Sequence, residues 1–156
     1  MDKIVGIGEY AISNYEGDSL KTFALASCVA ITVYNPLIKV AGMIHIALPT
    51  PLDKEDGKRR PGYYATSGIP LLFNRMCREY GCKIEDLSIK LYGGALSIRN
   101  DDCFRIGPRN CSAVMDTLSR MNVKVLEAQI GGMVSRNINM NVQNGLITMT
   151  TLPMNF

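Results

Sequence analysis

The sequence predicts an α+β fold, and three observations carry the prediction. Seven short segments have the composition of β-strands, whereas two separated stretches repeat apolar residues at helical spacing. Strands and helices do not alternate regularly, which argues against a βαβ array. The chain has 156 residues, 47% hydrophobic and 20% charged, so it is long enough to bury one core, and we expect residues 1–156 to form a single domain.

The predicted strands are rich in Val, Ile and small residues, and Gly or Pro ends several of them. Pro49 and Pro51 stop the third strand because proline cannot donate a ladder hydrogen bond. Asn144-Gly145 separates the last two strands and predicts a two-residue hairpin turn. The seven predicted strands are residues 3–8, 22–34, 40–48, 90–92, 123–129, 137–143 and 146–152.

Two helices are predicted, over residues 67–80 and about 109–121, where apolar residues recur at intervals of three and four. In the first, Pro70 fits only the first turn, because proline lacks the N–H that later turns need. Gly81 fits the C-terminal stop, because glycine adopts the left-handed conformation that ends many helices.

Composition and charge exclude several classes of function. A formal net charge of +3 gives no reason to expect a nucleic-acid partner. The charged run 53–60 has four basic and three acidic residues, and we expect it to be a solvated loop. The N-terminus lacks the pattern of a signal peptide, and the most apolar run, 23–34, is too short to span a bilayer. A cytoplasmic protein that is not embedded in a membrane is expected.

The cysteines form an odd set of five: Cys28, Cys77, Cys82, Cys103 and Cys111. Without an export signal they are expected to be reduced thiols rather than a disulfide framework. Neither the Cys77–Cys82 nor the Cys103–Cys111 spacing matches a compact zinc site, and the chain has one histidine. We therefore expect no metal.

Cys28 and His45 are the candidate catalytic pair, because a predicted hairpin brings them together. If residues 35–38 form the loop, Cys28 lies directly opposite His45, with Cβ atoms roughly 4.5–5.5 Å apart. A slip by one residue would move the two side chains to opposite faces of the sheet. Thr22 precedes Cys28 by six residues and shares its face if the strand stays extended.

This trio has the chemistry of an amide hydrolase. A free thiol has a pKa of about 8.5, and a neighbouring imidazole activates it by accepting its proton. Cys28 would then attack a carbonyl carbon, His45 would protonate the departing amine, and water would cleave the thioester. Thr22 is expected to hold the imidazole, and the backbone near Ser27 and Cys28 is a candidate oxyanion hole. Such hydrolysis requires no cofactor.

Each residue also has a structural interpretation. A cysteine in an apolar strand is usually a small buried hydrophobe, and a single histidine in a strand is more often structural than catalytic. A redox sensor is a further alternative, in which Cys28 would pair with another thiol under mild oxidant. The sequence indicates no partner for that disulfide.

Six segments, in order along nearly the whole chain, resemble the chemoreceptor glutamine deamidase family CheD. They are Thr22-Phe-Ala-Leu-Ala-Ser-Cys28-Val-Ala, Gly42-Met-Ile-His45-Ile-Ala-Leu-Pro49, Tyr64-Ala65, Tyr92-Gly93-Gly94-Ala95, Ile106-Gly107-Pro108-Arg109-Asn110 and Gly131-Gly132.

The resemblance implies a reaction and a set of partners. Family members hydrolyse the side-chain amide of particular glutamines on methyl-accepting chemotaxis receptors, which yields glutamate and ammonia. The family's nucleophile, base and third triad member correspond to Cys28, His45 and Thr22. The family fold is α+β, with packed, largely antiparallel sheets and outer helices, similar to the deamidase domain of cytotoxic necrotizing factor toxins. Many members bind the CheY-phosphate phosphatase CheC, so a regulatory binding module with little hydrolytic activity is the alternative function.

Overall fold

The structure, a computed structural model, describes residues 1–96 and 104–154. These residues form nine strands: β1 (Asp2–Ile4), β2 (Tyr10–Ser13), β3 (Ser19–Leu25), β4 (Val29–Asn35), β5 (Val40–Ile46), β6 (Ser88–Gly93), β7 (Val125–Ile130), β8 (Val134–Asn141) and β9 (Ile147–Pro153). They also form three α-helices: α1 (Lys54–Arg59), α2 (Ala65–Tyr80) and α3 (Ile106–Arg120). Short 3₁₀ turns lie at Pro61–Tyr63 and Ile84–Asp86.

The strands form two sheets, of order β1-β3-β8-β9 and β2-β5-β4-β6-β7. The β1–β3 and β6–β7 pairings are parallel, and the other pairings are antiparallel. The predicted α+β fold with largely antiparallel sheets is confirmed.

The five-stranded sheet is the middle of three layers. Alternate side chains of β4 point to opposite faces, so Ile31 packs with Leu72 of α2 and Leu118 of α3 in one apolar cluster. Ala30 points the other way and packs with Leu20 of the four-stranded sheet. All seven residues of β4 are buried, so apolar side chains point to both faces of the sheet and the strand does not alternate between apolar and polar residues. The space between the two sheets contains the candidate catalytic residues.

The predicted single strand over residues 22–34 is wrong. Leu25 ends β3 in the four-stranded sheet, and Val29 begins β4 in the five-stranded sheet. The chain crosses between the sheets at residues 26–28. No Gly or Pro separates the two strands, and apolar and small residues continue from one to the other, so the sequence pattern does not reveal the break.

The charged segment that was predicted to be a solvated loop, residues 53–60, contains the helix α1. Asp53 accepts a hydrogen bond from the backbone N–H of Asp56 (2.8 Å) and so caps α1. The Asp56 carboxylate is buried and pairs with Arg59 (2.8 Å) and Arg60 (3.0 Å). The Asp56 carboxylate therefore pairs with two of the four basic residues of this run.

Two of the predicted boundaries also need correction. Helix α2 begins at Ala65, so Pro70 lies in the second turn rather than the first, whereas Gly81, in the left-handed conformation (φ 74°), ends the helix as predicted. Asn141 N–H donates to Leu146 O (2.9 Å), which leaves residues 142–145 as a four-residue loop in place of the predicted two-residue turn.

The described residues contain no helix long and apolar enough to cross a membrane. Cys103 lies outside the described residues. Cys28, Cys77, Cys82 and Cys111 are free thiols.

Candidate active site

His45 lies in β5 opposite Ala30 of β4, so the predicted direct opposition of Cys28 and His45 is wrong. The loop of this hairpin is residues 36–39 rather than 35–38, because Asn35 pairs with Val40 and extends the ladder by one step. The register therefore shifts by two residues. An even shift preserves the face, and Cys28 and His45 become diagonal neighbours, for which a regular ladder places Cα atoms roughly 7–8 Å apart.

A turn stabilised by Asn35 explains the observed register. Its Oδ1 accepts a hydrogen bond from Leu37 N–H at 3.0 Å, and the side chain is 2% exposed. This Asx turn satisfies the loop backbone and fixes where the two strands begin to pair.

Thr22 reaches His45 from the other sheet, not along a continuous strand. Its Oγ1 lies 2.7 Å from His45 Nδ1, and both residues are buried. A β-bulge aims the side chain: Thr22 pairs with Ile138, and Leu25 pairs with Arg136, so two residues of β3 oppose one of β8. Because of the bulge, Thr22 and Leu25 both point into the core despite their odd spacing.

The hydrogen bonds of Thr22 determine the tautomer of His45. The Thr22 hydroxyl donates its single proton to Val5 O at 2.7 Å. Thr22 Oγ1 can then only accept from His45, so Nδ1 carries the imidazole proton. The lone pair consequently lies on Nε2, which is buried and has no hydrogen-bond partner among the described residues. This is the protonation state that a general base requires.

The N-terminal segment forms hydrogen bonds with both Thr22 and His45. Val5, whose carbonyl binds Thr22, follows β1 of the four-stranded sheet. A few residues later, Gly8 N–H donates to His45 O (2.9 Å) and His45 N–H donates to Glu9 O (3.1 Å). Residues 5–9 thus join the two sheets at the site, a connection that no local sequence pattern reveals.

Cys28 lies in the crossing segment between β3 and β4, which hydrogen bonds hold in place. Ala26 O accepts from Ala95 N–H (2.7 Å), and Cys28 O accepts from Gly94 N–H (2.8 Å). Ser27 O accepts from the side chain of Asn110 (2.9 Å). All three carbonyls of the segment are therefore fixed. The thiol is half-buried beside the cluster between the sheets.

Gly93 is needed because the backbone of Cys28 approaches it closely. A Cβ at this position would lie 2.1 Å from Cys28 O, and the φ of +112° is one that other residues rarely adopt. Gly93 therefore makes room for the segment that carries the thiol.

The backbone N–H groups of Ser27 and Cys28 have no acceptor among the described residues. Their carbonyls are bonded to the neighbouring chain. Adjacent N–H groups beside a candidate nucleophile have the composition of an oxyanion hole. The Ser27 side chain makes no hydrogen bond with the described residues.

Burial favours the uncharged forms of both Cys28 and His45. Desolvation lowers the pKa of His45 to about 4 and raises the pKa of the Cys28 thiol. Both shifts favour a neutral thiol and a neutral imidazole in the resting site over a thiolate–imidazolium pair. Such a site can transfer a proton from sulfur to Nε2 as the sulfur attacks a carbonyl carbon.

Chemotaxis proteins match this chain. The family model described as CheD chemotactic sensory transduction matches residues 47–151. A probable chemoreceptor glutamine deamidase CheD from Syntrophotalea carbinolica is 41% identical over 152 residues, which cover 96% of this chain and 93% of that protein. The chemoreceptor glutamine deamidase CheD of Thermotoga maritima is 36% identical, with 93% and 88% covered.

A solved structure has a similar fold. The Bacillus licheniformis hypothetical protein YfiH aligns with a TM-score of 0.51 and 14% sequence identity, covering 77% of this chain and 49% of that chain. The likeness supports the layered α+β architecture.

Proposed function

Because the chain belongs to the CheD family, we propose that it hydrolyses the side-chain amides of specific glutamines on methyl-accepting chemotaxis receptors to glutamate and ammonia. The proposal treats residues 1–156 as one deamidase domain that acts in the cytoplasm. The free thiols at Cys28, Cys77, Cys82 and Cys111 are compatible with a reducing compartment.

In the proposed acylation step, Cys28 Sγ attacks the amide carbon of the glutamine side chain. His45 Nε2 accepts the thiol proton as the C–S bond forms, and the N–H groups of Ser27 and Cys28 stabilise the developing oxyanion. The protonated Nε2 then donates to the amide nitrogen, the C–N bond breaks and ammonia leaves. The product is a thioester between Cys28 and the receptor.

In the second step, water hydrolyses that thioester. His45 Nε2 takes a proton from the water as its oxygen attacks the carbonyl carbon, and the C–S bond breaks. The proton returns to Cys28, and the receptor side chain leaves as glutamate. The Nδ1–H to Thr22 bond keeps the imidazole oriented through both steps.

One observation carries the mechanism: the Val5–Thr22–His45 hydrogen-bond chain leaves an unprotonated Nε2 in a buried site, and His45 pairs with Ala30, two residues after the candidate nucleophile Cys28. A purely structural histidine would satisfy both ring nitrogens, because a buried unpaired polar atom is costly.

The test is mass spectrometry of a purified receptor cytoplasmic fragment incubated with the protein. Site-specific conversion of glutamine to glutamate, with release of ammonia, is the expected result. A folded protein that converts no glutamine of a cognate receptor would contradict the proposal.

The second candidate function is a regulatory module that binds a CheC-type phosphatase and has little hydrolytic activity. Strand β7 is an edge of the five-stranded sheet, and the unpaired backbone groups of an edge strand can bind a strand of a partner protein. Stimulation of CheY-phosphate hydrolysis by CheC, without receptor deamidation, would favour this candidate.

Replacing Thr22 by valine is expected to lower kcat by roughly 10²-fold. Valine preserves the shape but removes the acceptor for His45 Nδ1, so the imidazole loses its preferred tautomer and orientation. Ammonia release under saturating receptor measures the effect. Thr22→Ser retains the hydroxyl and should stay within a few-fold of wild type, whereas wild-type kcat in folded Thr22→Val would exclude Thr22 from the mechanism.

A further inference from the structure

Asn110 joins the two chain segments that carry the proposed nucleophile and base. It lies on the second turn of α3 and is fully buried, with 0% exposure. Its Nδ2 donates to Ser27 O, the residue before Cys28, at 2.9 Å, and to Ala47 O, two residues after His45, at 3.0 Å. One side-chain amide therefore connects the crossing segment to the end of β5.

Both partners of Nδ2 are backbone carbonyls, which fixes the orientation of the amide. A carbonyl can only accept, so the NH₂ group and not Oδ1 must face Ser27 and Ala47. The orientation leaves Oδ1 buried and without a partner among the described residues. A buried acceptor without a partner is unfavourable, so asparagine at this position carries a local cost to stability.

We infer that Asn110 is a positioning residue that sets the separation between Cys28 and His45. The inference depends on the proposed function, since it assigns a role within that mechanism. Cys28 lies outside the regular β4–β5 ladder, so strand pairing alone does not fix its distance from His45. Asn110 supplies that constraint from a third element, α3, and the two N–H groups of its amide hold the two segments at one spacing.

Asn110 acts without contact with the reacting atoms. Its two donors are both occupied by backbone carbonyls, so neither is available to a substrate or an oxyanion. Its removal should therefore change the rate of the chemical step more than the affinity for the receptor.

The experiment compares Asn110→Leu with Thr117→Val. Each change keeps the branching of the side chain and removes its hydrogen bonds. Thr117 is the matched control: it is buried (8% exposed) on the same helix, and its Oγ1 donates to the backbone carbonyl of Ala113 at 2.7 Å, which lies in neither of the two segments that Asn110 joins. Circular dichroism and thermal melts establish that each variant folds, and Asn110→Asp replaces Asn110→Leu if the latter does not.

We expect Asn110→Leu to lower kcat for receptor deamidation by roughly 10–100-fold, as for other residues that orient reacting groups, with KM near the wild-type value. Thr117→Val should destabilise the protein but leave kcat within a few-fold of wild type. The pH dependence of Cys28 alkylation by iodoacetamide, followed on the Cys28 peptide by mass spectrometry, should move to higher pH in Asn110→Leu alone, because His45 no longer lies where it assists ionisation.

The variant Cys28→Ala, assayed in parallel, separates two kinds of failure. If Cys28→Ala is inactive but folded Asn110→Leu has wild-type kcat and an unchanged alkylation profile, the inference about Asn110 is overturned and the proposed function stands. If Cys28→Ala still deamidates the receptor, the proposed mechanism fails, and the positioning role fails with it.

Discussion

Replacing Cys28 by alanine is expected to reduce receptor deamidation by roughly 10⁴-fold or more, to the background of the assay. The thiol is the proposed nucleophile, and the methyl group of alanine cannot form the covalent thioester intermediate. Quantitative mass spectrometry of the receptor glutamines measures the rate, and a thioester trapped by acid quench should be present with wild type and absent with Cys28→Ala.

Cys77→Ala is the matched control for this prediction. Cys77 is also a partly buried free thiol, and burial also raises its pKa, but it lies on α2 and packs on the helical side of the five-stranded sheet. Its removal should leave the rate within a few-fold of wild type. Deamidation that persists in Cys28→Ala, or that is lost equally in Cys77→Ala, would contradict the assignment of Cys28 as the nucleophile.

Much of the fold could be predicted from local patterns. The strands of the β4–β5 hairpin and the end of α2 at Gly81 follow from apolar runs and turn residues. The break at residues 26–28 could not be predicted, because no Gly or Pro and no change in composition marks the passage from β3 to β4. Helix α1 was missed because its capping and ion pairs involve the same charged residues that typify a solvated loop.

The sequence predicted a different arrangement of Cys28, His45 and Thr22 from the one in the structure. The sequence placed Cys28 opposite His45 and Thr22 on the same strand, whereas the turn at Asn35 shifts the register by two and Thr22 belongs to the other sheet. Side chains alternate between the two faces of a strand, so a register shift of two residues leaves Cys28 and His45 on the face that the sequence predicted. The connection made by Asn110 joins residues distant in sequence, so no local spacing indicates its role.

Replacing His45 by asparagine is expected to lower kcat by roughly 10³–10⁴-fold. The asparagine amide can still donate to Thr22 in place of Nδ1, so the variant removes the base at Nε2 and retains the support around it. Because burial lowers the pKa of His45 to about 4, the wild-type imidazole stays neutral at pH 5, where an ordinary histidine is mostly protonated. Wild-type kcat/KM should therefore persist to about pH 5 and fall as the pH approaches 4.

The same pKa predicts how stability depends on pH. Between about pH 6.5 and pH 4 the unfolded chain binds a proton at His45 that the folded chain does not, so the free energy of unfolding falls as the pH falls. For a pKa of about 4 in the folded protein, the wild type should lose about 2 kcal/mol from pH 7.5 to pH 5 through this group. His45 is the single histidine of the chain, so His45→Asn removes this contribution and leaves the carboxylates unchanged. Urea unfolding of both proteins across that range isolates the difference. Parallel pH curves would mean that His45 titrates normally in the folded protein, and an acid limb of activity near pH 6.5 should then accompany them.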